Sequence, residues 1–216
     1  MIPVLKGVCP AILVTNAEAW KNELLNAIAS GVKSRIRLAR GRYGHSQIKL
    51  AVVRETYGKC VYCESKVRHV APGDIEHIIP KSLFPEMTFE WSNLTFSCTE
   101  CNRRKLNNFD VNLQILNPYE DQPGDFLFAS DAKIYPRPGS LRGALSWAIL
   151  ELNRPELYEM RCDTIEHVRA LAETWGLLPD GILKDLALTS LRDQVIESQE
   201  HSMVVEAFLR ASGVPL

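Results

Sequence analysis

The sequence has no uninterrupted apolar run near the roughly 20 residues that a bilayer crossing requires, and its N-terminal stretch Met1 to Val14 is broken by Pro3, Lys6 and Pro10. Neither a membrane span nor an export signal is therefore expected, and the chain is assigned to the cytoplasm. It also lacks internal repeats and low-complexity tracts, which excludes collagenous, disordered and solenoid chains. What is there is an ordinary globular composition: 216 residues, 46% hydrophobic and 24% charged, enough for one substantial core or two small ones.

The net charge of −1 hides an uneven distribution. Lys33 to Lys105 carries 14 Lys and Arg against 7 Asp and Glu, whereas Leu150 to Glu206 carries 5 against 12. A basic stretch is the usual footprint of a phosphate-backbone partner, and an acidic one also suits a solvated helix face. Lys33 to Arg42 contains five basic residues and no acid, which fits either a phosphate-contacting segment or a solvated helix.

Met1 to Val14 reads as an extended arm, followed by a helix over 17–29 that Gly31 stops, and by a second helix over 47–57 capped by Ser46 and ended by Gly58. Residues 75–79 and 91–97 read as short strands, and 98–107 as one short helix. Beyond Phe109 the spacing predicts a small hairpin over 125–135 turning near Ser130 and Asp131, then helices from Ser140 to the end. The expected class is α+β and mainly helical. The expected organisation is an arm and helices over 1–58, a core over 59–110, and a hairpin with a helical cap over 111–216 packed on the core as one unit. Trp147, Ile149 and Trp175 are expected in the core of that cap. His45, His69, His167 and His201 are expected as surface or core residues without a chemical role.

Four of the six cysteines fall in two Cys-x-x-Cys pairs, Cys60/Cys63 and Cys98/Cys101. Each such turn places two sulfurs on one side, so two of them supply the four thiolates of a closed tetrahedral zinc site, structural because no position stays open. The alternatives are four free buried thiols, or a mixed site in which His69 replaces one cysteine. Cys9 and Cys162 have no partner at ligand spacing and read as small buried hydrophobes.

Between the pairs lies Gly73-Asp-Ile-Glu-His-Ile-Ile-Pro-Lys-Ser82. Period two puts Asp74 and Glu76 on one strand face and His77 on the other, unless the backbone twists toward Pro80. The oxygens of Asp74, Glu76, Asn93 and Asn102 are hard ligands suited to Mg²⁺ or Mn²⁺. Asn102 and Lys105 share a helix face, so that one can ligate a metal while the other reaches a phosphate oxygen. Arg103 and Arg104 beside them, with Lys81, are candidate phosphate contacts.

These elements together, Cys60-x-x-Cys63, Asp74-x-Glu76-His77-Ile-Ile-Pro80, Trp91-x-Asn93-Leu94 and Cys98-x-x-Cys101-Asn102-x-x-Lys105-x-Asn107, resemble the HNH endonucleases, whose fold is the ββα-metal (His-Me finger) core. The resemblance implies that His77 is the general base that deprotonates water and that Glu76 and Asn102 hold the catalytic metal. It further implies that Asn93 braces the loop and orients His77, that Lys105 stabilises charge on the phosphate, and that Asp74 either ligates the metal or orients the site. Asparagine at Asn102, where the family often has histidine, leaves the metal preference open.

Tyr57-Gly-Lys-Cys60-Val-Tyr-Cys63-Glu-Ser-Lys66, Ile115-Leu-Asn-Pro118-Tyr-Glu-Asp121 and Leu152-Asn-Arg154-Pro-Glu-Leu157 look like the HNH proteins of retron and Septu-type anti-phage systems. That likeness implies a DNA substrate, with RNA or tRNA as alternatives, and a partner ATPase. Two other readings stay open: a free-standing restriction- or homing-type nuclease, and a zinc-stabilised nucleic-acid-binding or adaptor module without catalysis.

Overall fold

The computed structural model describes residues 1–67 and 71–216, so His69 and the mixed zinc site it would form lie outside the described residues. The chain divides into two compact units, one made of Val4–Val61 and Lys66–Asn112, the other of Met1–Pro3, Tyr62–Ser65 and Leu113–Leu216.

The first unit begins with α1 (Ala11–Ser30), six residues ahead of the expected start. Pro10 is the reason: its extended backbone aims its carbonyl at the amides of Leu13 and Val14, which starts the helix. The extended arm is correspondingly shorter than Met1 to Val14, and Met1 itself is buried. Gly31, in the left-handed region, ends α1. Next come α2 (Lys33–Arg40), a 3₁₀ turn over Gly41–Gly44, and α3 (Ser46–Glu55). The cap of α3 is His45, whose side chain accepts from the Gln47 amide, rather than Ser46.

β1 (Asp74–His77) and β2 (Leu94–Ser97) pair antiparallel, with Asp74 opposite Ser97 and His77 opposite Leu94. β1 starts one residue early and ends two residues early against its expected stretch, and β2 starts three residues late because Trp91–Asn93 coils into a 3₁₀ turn first. Gly73 admits the chain to β1: at φ +62, a Cβ there would lie 2.4 Å from Cζ of Phe96. α4 (Thr99–Lys105) follows and packs on β1. Leu13, Leu24, Ile48, Val52, Phe89, Leu94 and Phe96 are buried and form the core of this unit, each contributing about 1.5–3 kcal/mol by leaving water.

The second unit contains the hairpin β3 (Leu127–Ser130) and β4 (Lys133–Pro136), turning at Asp131 and Ala132. It continues with α5 (Leu141–Ile149), α6 (Pro155–Leu177), α7 (Ile182–Arg192) and α8 (Ser202–Ala211). Its core joins Val168, Leu191, Val205, Leu209 and Val214, with Trp175 packed against them. Trp147 and Ile149 are only half-buried, and so are Cys9 and Cys162, which departs from the core positions expected for them. His201 is buried, with Ser65 Oγ 3.0 Å from Nε2 and Thr164 Oγ1 3.1 Å from Nδ1. Among the described residues no helix is long and apolar enough to cross a membrane.

Candidate active site and metal centre

The ligand atoms of Cys60, Cys63, Cys98 and Cys101 all lie within 4.8 Å of one another. A zinc ion bonded to four sulfurs at about 2.3 Å needs sulfur separations of this order. Local structure sets up the second pair: Cys98 is the N-cap of α4, its Sγ accepting from the Cys101 amide at 3.3 Å, so that one helical turn brings the two sulfurs together. Cys60, Cys63 and Cys101 are buried and Cys98 is half-buried. The four cysteines thus form a closed tetrathiolate site of the kind zinc takes.

A cavity of about 360 Å³ opens beside β1 and α4. It is lined by Asp74, Glu76, His77, Lys81, Asn102 and Arg103, all candidates on sequence grounds, and also by Arg40. The acids and the histidine of β1 therefore share one cavity, the outcome that strand alternation allowed only with a twist. Asn102 reaches across from α4 to donate through Nδ2 to Asp74 Oδ2 at 3.0 Å.

His77 is buried, and its Nε2 lies 3.0 Å from the carbonyl oxygen of Thr88. A carbonyl only accepts, so Nε2 carries the hydrogen and Nδ1 keeps a lone pair. Lys81 Nζ approaches that nitrogen at 3.4 Å. Burial first, and the Lys81 charge second, lower the imidazole pKa to about 3, so His77 is neutral near pH 7. The ring of Tyr43 packs edge-on against it, centroids 4.7 Å apart, and Lys81 lies over the Tyr43 ring at 4.8 Å.

Asn93 is buried and holds the loop around the histidine. Its Oδ1 accepts from the Ile79 amide at 2.7 Å, and its Nδ2 donates to the carbonyls of Ile79 and Met87 at 3.0 and 3.1 Å. Met87 precedes Thr88, so Asn93 fixes the segment whose carbonyl fixes His77.

Lys105 is placed differently from its sequence expectation. It is 1% exposed and does not line the cavity; its Nζ donates to Glu76 Oε1 at 2.7 Å and to the His77 carbonyl at 2.8 Å. The expected reach from α4 to a phosphate is replaced by one to β1, where the charge of Lys105 is engaged by Glu76 and the His77 carbonyl. Burial pushes the Glu76 carboxyl up, against the opposing pull of Lys105. Arg104 also stays out of the cavity and pairs with Glu100, whereas Arg103 lines the cavity and lies 3.0 Å from Glu100.

Arg40 lines the cavity and Tyr43 packs on His77, and the sequence singles out neither residue individually. The only signal for Arg40 is its place in the acid-free run Lys33 to Arg42, and Tyr43 carries none, because its relation to His77 exists only in three dimensions.

A two-stranded ribbon and a helix that bring together a histidine, oxygen donors and a four-cysteine cluster have the arrangement of a ββα-metal core. Residues 60–108 match the HNH endonuclease family model, and the chain accordingly contains an HNH endonuclease domain, a phosphodiester hydrolase. The chain is similar to a Septu protein PtuB from Bacillus thuringiensis, 26% identical over 192 residues that cover 84% of this chain and 74% of that protein. A second Septu protein PtuB, from Bacillus mycoides, is 29% identical over 157 residues, 58% of this chain and 53% of the relative's length.

Proposed function

We propose that the protein is a cytoplasmic, metal-dependent DNA endonuclease and the nuclease effector of an anti-phage defence complex with an ATPase. The observation that carries the catalytic part is the cavity that brings neutral His77, its Nδ1 facing Lys81 at 3.4 Å, together with Asp74, Glu76 and Asn102. The likeness to Septu proteins supports the defence role.

The oxygen donors of Asp74, Glu76 and Asn102 line one cavity, a hard donor set that fits Mg²⁺ or Mn²⁺. Their negative field is felt nearby: burial and then Asp74 and Glu76 raise the Tyr43 pKa. A divalent cation bound there supplies a Lewis acid for the phosphate and the leaving oxygen. The residues do the rest. Once Lys81 turns from Nδ1 to the phosphate, His77 Nδ1 takes a proton from water as the water oxygen bonds to phosphorus, and the bond from phosphorus to the leaving oxygen breaks. Lys81 and Arg103 neutralise phosphate charge from the cavity wall. Asn93 and Tyr43 hold the imidazole, and Lys105 acts through Glu76 as a positioning residue.

Plasmid nicking by the purified chain with Mg²⁺ or Mn²⁺, alone and beside an ATPase that co-purifies with it, tests the proposal. Cleavage that needs the divalent ion and disappears in His77→Ala supports it. No cleavage under either condition, with zinc bound and the chain folded, overturns it.

A further inference from the structure

A second cleft, of about 430 Å³, adjoins the catalytic cavity and shares Arg40 with it. Its walls are Lys33, Ile36, Arg37, Arg40, Gly41 and Tyr43. Lys33, Arg37 and Arg40 are spaced i, i+4 and i+7 along α2, so they form one face, whereas Arg35 does not line the cleft. Arg42, the remaining cation of the run, is engaged with Glu23 at 2.6 Å. No acid lines the cleft, and the described residues give Lys33, Arg37 and Arg40 no ion pair. The Arg40 Nε is buried without a hydrogen-bond partner.

A merely solvated helix face does not need this arrangement. Like charges a turn apart repel, and the usual relief is an interleaved acid, which α2 lacks. An anion in the cleft removes the repulsion. From Lys33 to Arg40 the axis rises about 10 Å, comparable with about three phosphates of one strand at 3.4 Å each. Tyr43 forms the wall between the cleft and His77, so a strand whose scissile phosphate sits at His77 continues past Arg40 into the cleft.

We propose that the α2 cleft is the subsite for nucleic-acid phosphates flanking the scissile one, with Arg40 contacting the strand at the junction and Arg37 and Lys33 contacting it farther on. The cleft lies outside the matched residues 60–108. The proposal rests on the nuclease reading above for its direction, and its test separates the two.

The test measures binding of a short labelled DNA duplex to the full-length His77→Ala chain over a salt series. Lys33→Ala with Arg37→Ala is expected to weaken binding and to flatten the dependence of log K on log salt by about two, at about 0.9 for each phosphate no longer neutralised. Arg35→Ala, which removes one charge from the same helix outside the cleft, is expected to leave the slope in place. An unaltered slope in the double variant overturns the subsite, and flattening by Arg35→Ala of about one, equal per charge removed, overturns it in favour of overall charge. Flattening confined to the double variant, in a protein whose wild type cleaves no DNA, keeps the cleft as a nucleic-acid surface and sinks the nuclease reading instead.

Discussion

Lys105 and Glu76 show how one buried pair ties the strand to the helix of the core. Removing one member of a buried ion pair leaves an uncompensated charge and costs about 3–5 kcal/mol. Lys105→Met is therefore expected to destabilise the fold by that amount, and Lys105→Met with Glu76→Gln by clearly less than the sum of the single changes. Chemical denaturation of the four proteins in a double-mutant cycle checks it, and strict additivity would refute the coupling. His77 makes a second prediction, on acidity. Its folded pKa is about 3 against an ordinary 6.5, so the unfolded chain binds a proton between those values and the folded chain does not. The stabilising contribution is complete above about pH 6.5 and falls as the pH drops toward 3. Between pH 6.5 and 4.5, wild type should lose about 2 kcal/mol relative to His77→Gln, because the slope reaches 1.36 kcal/mol per pH unit only below the unfolded pKa. Glu76, whose carboxyl is raised, works in the opposite direction as the pH rises through its own folded range, so the comparison with His77→Gln is what isolates the imidazole. Parallel stability profiles in the two proteins would refute the assignment.

Among the elements, the entry to β1 and the start of α4 are the places where single positions decide the local structure. Gly73 combines a positive φ with a Cβ position that the Phe96 ring already occupies. Gly73→Ala should cost about 2–5 kcal/mol from backbone strain and overpacking together. In a Phe96→Leu background the added cost should be smaller, and equal costs in both backgrounds would show that the ring is not the obstacle. Cys98 both caps α4 and completes the sulfur cluster. Cys98→Ser keeps a capping oxygen but loses a soft ligand, so it is expected to lower bound zinc from about one per chain and to unfold the ribbon and helix, because structural zinc binding is folding free energy. Zinc analysis and circular dichroism report the two losses; a folded, active wild-type preparation without zinc would refute the site.

These elements are legible in the sequence to different degrees, for physical reasons. The cysteine spacing, the Pro80 stop and the helix beginning at Cys98 are local signals, and they place β1, β2 and α4 to within a few residues. The start of α1 is obscured because Pro10 looks like a breaker, whereas its carbonyl starts the helix. The burial of Lys105 has no local signature, since its partner Glu76 is 29 residues away and helix-face spacing says nothing about which charge is nearer. Tyr43 meets His77 only after α2 and α3 have packed beside the strands, so no local pattern marks it.

At the scale of the whole molecule, the uneven charge suits the two kinds of partner proposed above. Lys33 to Lys105 contains the cations that line both clefts, and DNA would be repelled by Leu150 to Glu206 with its 12 acids against 5 bases. The acidic segment also carries an apolar face: Leu177, Ile182, Leu183 and Leu186 are 87%, 78%, 69% and 59% exposed, with Asp180 and Asp185 among them. Apolar area supplies affinity, and the acids around it supply steering and choice of partner. If the proposed ATPase docks here, replacing Ile182, Leu183 and Leu186 together by serine removes the apolar contact without touching the core, since all three are exposed. Co-expression of the two proteins followed by size-exclusion chromatography should then show a complex with wild type and separate peaks with the triple variant. Asp180→Asn with Asp185→Asn should keep the complex at low salt but slow its formation, because such rim charges act mainly on the association rate. A triple variant that co-elutes with the ATPase as fully as wild type would show that the exposed face of α7 is not where the partner binds.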